Sequence, residues 1–168
     1  MDIRIVACLI ALFVVAGSSL PSEARSYRIK HGNWKGGSYT NSQTGKFSHC
    51  AVSARYKRGD SLVFSIDRQY KFSVGVADKR WKLRQGSQYD VTMQVDRGRR
   101  YFRSGAAVSP TLMKVPIGDR VSFFNLMRRG NQLTISGGET ILTYSLRGTH
   151  YALKSTLKCV RVMLRGQR

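Results

Sequence analysis

From residue 46 onward, apolar side chains recur at every second position in short runs, and turn residues separate the runs. The clearest is "YDVTMQVD" (89–96), which sets Tyr89, Val91, Met93 and Val95 against Asp90, Thr92 and Gln94. In "RQYKFSVGV" (68–76), Tyr70, Phe72, Val74 and Val76 fall on one face, with Lys71, Ser73 and Gly75 on the other. A period of two over this length predicts a half-buried strand. Asp67-Arg68 reads as the tight connection that joins this run to "SLVFSID" (61–67). Further strands are expected at 46–56, 101–108, 111–117, 132–136 and 140–146, the last two joined through Gly137-Gly138. That makes eight.

Twice the period lengthens. In "RVSFFNLMRRG" (120–130), Phe123, Phe124 and Met127 recur at helical spacing. Asp119 is placed to cap it, Arg128 and Arg129 fall in its last turn, and Gly130 stops it. From Thr149, a good N-cap, Ala152, Leu153, Leu157 and Val160 share one face. These elements predict a mainly β chain: an antiparallel β-sandwich or barrel-like domain with two short helices, the last at the C-terminus.

The N-terminal pattern is different. Ile3 to Val15 is almost wholly apolar but shorter than the ~20 residues that span a bilayer. Gly17, Ser18, Ser19 and Pro21 break it, and Ser22-Glu23-Ala24 offers small residues to a signal peptidase. The expectation is an export signal over 1–24 cut after Ala24, a mobile lead-in over 25–33, and a single β-rich domain over 34–168. The glycine-rich "GNWKGG" (32–37) is not followed by a helix pattern and reads as flexible, with Trp34 as its anchor. No second long apolar run follows, so no transmembrane segment is expected after cleavage.

Export changes the meaning of the cysteines. Cys8 leaves with the signal, so Cys50 and Cys159 remain. In an oxidising compartment two cysteines normally pair, and here they have one possible intramolecular partner each. The alternative is a nucleophilic Cys50 activated by His49. Neighbours on a strand point to opposite faces, which places His49 badly for that role.

Charge narrows the partner class. The chain carries 29 Lys and Arg against 9 Asp and Glu, a net charge of +20. Such an excess favours polyanions and disfavours self-association. The basic residues are densest at Lys79, Arg80, Lys82 and Arg84 around Trp81, and at Arg97, Arg99, Arg100 and Arg103 around Tyr101 and Phe102. Arginine forks suit phosphates, and aromatic rings can stack on bases or sugars. These eight cations, with Trp81 and Tyr101, are the candidate contacts.

Catalytic patterns are missing. His31, His49 and His150 are isolated, and no HExxH, Cys/His array, GxSxG, Walker or GxGxxG pattern occurs. No catalytic residue, metal or cofactor is expected.

Three pieces of the sequence, "FSHCAVSARYKRGDSLVFSIDR", Trp81 with Gly86, and "LRGTHYALKSTLKCV", resemble a family of small exported alphaproteobacterial β-rich proteins. More distantly the chain is similar to the invasion-associated locus B proteins, secreted β-rich proteins linked to invasion of host cells. The resemblance implies an exported β-sandwich with a disulfide from an early strand to the terminal helix, and it carries no catalytic residues. The expected function is therefore a non-enzymatic periplasmic or extracellular binding module. Its partner would be lipopolysaccharide, anionic lipid or nucleic acid. The rivals are a cell-wall-directed enzyme or inhibitor-like module, and a structural envelope protein.

Overall fold

The computed structural model describes residues 26–118 and 120–166. Ten strands and two helices follow one another: β1 (Arg28–His31), β2 (Trp34–Thr40), β3 (Phe47–Arg55), β4 (Ser61–Asp67), β5 (Phe72–Ala77), β6 (Gln88–Val95), β7 (Arg100–Ser109), β8 (Leu112–Gly118), α1 (Val121–Arg129), β9 (Gln132–Gly137), β10 (Thr140–Ser145) and α2 (Thr149–Arg165). The strands form one antiparallel sheet in the order β1-β2-β3-β4-β5-β8-β7-β6-β9-β10. The expected mainly β class with a C-terminal helix holds, in the form of a single ten-stranded sheet whose ladder is not closed.

The two strands missing from the sequence reading are β1 and β2. Within the expected lead-in over 25–33, Arg28–His31 form β1, and "GNWKGG" supplies the start of β2 rather than a flexible link. The glycines explain the error. A Cβ on Gly36 would stand 2.0 Å from the Ala51 carbonyl oxygen, and one on Gly37 would stand 2.0 Å from that of Tyr27. Glycine is needed here because neighbouring backbones approach closely, yet in sequence it signals a loop.

Trp34 is an anchor, as expected. It is fully buried, stacks on Phe64 at 5.0 Å, and donates its indole N–H to the Arg147 carbonyl at 3.0 Å. From there an aromatic series crosses the inner face: Phe64 to Phe72 at 5.7 Å, and Phe72 edge-on to Phe124 of α1 at 5.4 Å. Both halves of the sheet therefore share one core with both helices.

Local details also differ from expectation. The β4–β5 connection is longer than Asp67-Arg68: the Asp67 N–H donates to the Lys71 carbonyl, and Tyr70 adopts a positive φ of 60°. Tyr70 is consequently exposed and not part of the β5 apolar face. Ser73 is buried as well as Phe72, Val74 and Val76, because β5 is central in the sheet. Thr149 does not cap α2; Gly148, in a left-handed conformation, precedes the helix, and Thr149 is its buried first residue. Asp119 and residues 1–24, where an export signal is expected, lie outside the described residues.

The terminal helix is the main brace. It spans 17 residues and buries Ala152, Leu153, Thr156, Cys159, Val160 and Met163. Cys159 is joined to Cys50 of β3 by a disulfide with Cα atoms 6.2 Å apart and a sequence separation of 109. The pairing fits an oxidising compartment.

A second brace joins the sheet's far edge to the β3–β4 turn. The Tyr56 hydroxyl donates to the Ser145 carbonyl at 2.5 Å, and Arg58 donates to the Thr143 carbonyl at 3.1 Å. Both acceptors lie on β10, an edge strand, so side chains satisfy carbonyls that no further strand pairs. Asp60 sits beneath them, 1% exposed. Its Oδ2 accepts from Arg58 at 2.9 Å and from the Tyr144 hydroxyl at 2.8 Å. Burial, reinforced by the Asp60 charge, pushes the Tyr56 hydroxyl up to about 12. Tyr56→Phe should cost about 1 kcal/mol, the net worth of a typical hydrogen bond, and speed hydrogen exchange in β10. Unchanged exchange there would show that Tyr56 does not hold the edge.

Candidate functional site

The structure separates the two basic clusters. The first, with Lys79, Arg80, Lys82 and Arg84, lies on the β5–β6 connection. That connection runs beside the β7–β8 turn, with Leu83 N–H donating to the Pro110 carbonyl and Gly86 N–H to that of Ala107. The second, with Arg97, Arg99, Arg100 and Arg103, lies on and beside the β6–β7 turn at the other end of the same strands. The eight residues of β6 between them make a separation of roughly 25 Å. They do not form one patch.

Within the first cluster Arg80 is already engaged. Its guanidinium grips the Asp78 carboxylate at 2.6 Å and 3.0 Å. These bonds hold the Asp78 carboxyl down to about 2. Lys79, Lys82 and Arg84 are exposed, and Trp81 is half-buried against the core.

The second cluster has a different construction. Tyr101 packs edge-on against Phe123 of α1 at 4.7 Å, and Arg99 and Arg103 each lie 5.8 Å from its ring centre. Arg103 folds back to donate to the Phe102 carbonyl at 2.7 Å. Phe102 points to the opposite face and is 74% exposed. Asp96, next to Arg97 in sequence, accepts the Asn131 and Gln132 N–H groups at 3.1 and 2.9 Å. Arg97, Arg99 and Arg100 are exposed and make no ion pair among the described residues. Helix α1 adds Arg129 and the exposed Leu126 beside this turn, which periodicity assigned only to a helix end.

A third site was not read from the sequence. On the outer face of the sheet, a polar groove of about 370 Å³ is lined by residues of the β2–β3 loop, β3, β4, the β4–β5 turn, β5 and Lys114 of β8. His49 and Asp67 stand opposite each other in the β3–β4 register, and Ser65 stands opposite Ser73. No hydrogen bond joins His49 to Asp67 among the described residues. The ring meets Ser48 Oγ through Nδ1 at 3.1 Å, and Asp67 Oδ1 accepts from the Gln69 and Lys71 N–H groups, each at 2.9 Å. Cys50, next in sequence to His49, faces the core, so the thiol and imidazole do not meet. His150 is exposed at the start of α2, and His31 meets Ser155 Oγ at 2.8 Å.

Among the described residues no three metal-ligating side chains come together, and no helix is long and apolar enough to cross a membrane. No family model matches the chain, and no curated protein matches it. Among solved structures, the crystal structure of invasion associated protein B from Bartonella henselae matches with a TM-score of 0.54 at 18% identity, covering 79% of this chain and 97% of that one. The chain is thus similar in fold to invasion associated protein B.

Proposed function

We propose that this protein is a non-enzymatic binding module of the cell envelope, and that the β6–β7 turn docks on an anionic surface such as lipopolysaccharide or anionic lipid. One observation carries this reading: Arg97, Arg99 and Arg100 are exposed and make no ion pair among the described residues, beside a Phe102 that is 74% exposed. Cations near an anionic surface each contribute about 1 kcal/mol at most, and an exposed ring adds apolar contact. The +20 charge supplies long-range attraction that salt weakens. The disulfide supports a periplasmic or extracellular location.

Vesicle co-sedimentation tests this. The Arg97→Gln/Arg99→Gln/Arg100→Gln variant should bind anionic vesicles at least about tenfold more weakly, with a shallower salt dependence. Phe102→Ser should weaken binding to vesicles but not to heparin, while its unfolding free energy stays within about 0.5 kcal/mol of the parent's. Binding that ignores salt, or that survives both variants, would sink the reading.

A second reading, a cell-wall-directed enzyme, draws on the groove where His49 and Asp67 stand opposite each other. His49→Gln would abolish peptidoglycan hydrolysis in that case. Equal release of wall fragments by parent and variant would remove it.

A further inference from the structure

The outer groove is the most chemically concentrated feature away from the β6–β7 turn. Four cations line it: Lys46, Arg68, Lys71 and Lys114. None makes an ion pair among the described residues, where the two ion pairs are Arg58–Asp60 and Arg80–Asp78. The lone acid of the lining, Asp67, is held by two backbone N–H groups of its own turn. The groove is therefore strongly electropositive with a fixed floor.

That floor is polar and preformed. Ser73 is 6% exposed yet lines the groove, and Ser65 lies beside it on β4. One wall is the loop 41–46, whose Asn41 Oδ1 accepts the N–H groups of Gln43 and Thr44. At the rim, His49 lies flat on the exposed ring of Tyr39, with centroids 5.0 Å apart and planes 9° apart.

We propose that this groove binds an anionic sugar unit, one whose carboxylate or phosphate is met by Lys71 and Lys114 and whose ring lies along the Tyr39–His49 stack. Unpaired ammonium groups supply the charge, serine and asparagine groups match hydroxyls, and flat aromatic stacks suit sugar faces. The volume exceeds what a lone oxyanion fills, which favours a ring carrying the charge. Burial, and then the Lys114 charge, hold the His49 imidazole below its usual 6.5, with Asp67 opposing. A bound anion would reverse the Lys114 effect, so His49 reports occupancy. The site is independent of the β6–β7 turn.

The experiment is an NMR titration of the chain from residue 25 on with trigalacturonate, glucosamine 6-phosphate and neutral maltotriose. The carboxylate and phosphate arms distinguish the two sources of charge. With at least one anionic ligand, the His49 pKa should rise and shifts should centre on Ser65, Ser73 and Lys114. Maltotriose should bind at least about tenfold more weakly. Lys71→Gln/Lys114→Gln, both surface changes, should reduce anionic binding at least about tenfold, whereas the three-arginine variant of the β6–β7 turn should leave it unchanged. Shifts confined to that turn, equal response to the neutral sugar, or no response to either anion would overturn the proposal.

Discussion

Replacing Cys50 and Cys159 together with serine is expected to lower the unfolding free energy by about 4–5 kcal/mol, the chain-entropy value for a loop of this length. The disulfide closes a loop with a sequence separation of 109, with strands β4 to β10 between its ends. Both sulfurs are fully buried, where β3 meets α2. Without the bond, the denatured chain regains its conformational freedom, and serine hydroxyls enter an apolar site. Urea unfolding should show a lower midpoint and a larger slope, because the uncrosslinked denatured state exposes more surface. Thiol titration of denatured, unreduced protein starting at residue 25 should find no free cysteine. Equal stability before and after reduction would show that α2 is held by packing alone.

The second large effect belongs to Asp60. Asp60→Ala should cost about 3 kcal/mol, the lower end for breaking a buried ion pair, since Arg58 is 44% exposed and can regain water. Removing the carboxylate leaves the fully buried Tyr144 hydroxyl without its acceptor and frees Arg58 from its place over the Tyr144 ring, at 5.2 Å. Arg58 would then hold the β10 carbonyls less well. A cycle with Tyr144→Phe should show coupling, because both changes remove the same bond.

Acid gives an independent check. Burial opposes ionisation of Asp60, but the bonds from Arg58 and Tyr144 outweigh it and hold the pKa below the usual 3.8. A depressed folded pKa means that the stabilisation is complete above the unfolded value and disappears as pH falls through the folded one. The stability gap between the parent and Asp60→Ala should therefore be constant near neutrality and narrow below about pH 4. A gap that widened on acidification would show that the carboxylate is neutral in the folded protein.

The legibility of the sequence followed its physics. Strands β6 and β4 were readable because each has one face in the core, so burial imposes a period of two. The buried residues Phe123 and Met127 of α1 and the buried face of α2 were readable for the same reason at a longer period. β2 was not, since the close approaches that force Gly36 and Gly37 come from Ala51 on β3 and from Tyr27 just before β1. The role of Asp60 was not legible, because its partner Tyr144 lies 84 positions away. Arginine-rich stretches were visible as composition, but only the sheet order shows that β6 holds the two apart.

The sequence by itself determined the alternation that makes strands, the two helices, the cysteine pair and the excess of positive charge. The alternation and the helices depend on residue type and spacing within a few positions; the cysteine pair and the charge depend only on which residue types the chain holds. Tertiary structure alone decided the strand order, the brace of Asp60 and Tyr144, and the groove that gathers Lys46, Arg68, Lys71 and Lys114 beside His49. Those depend on which distant segments become neighbours, and a ladder of ten strands sets that through the packing of the whole core.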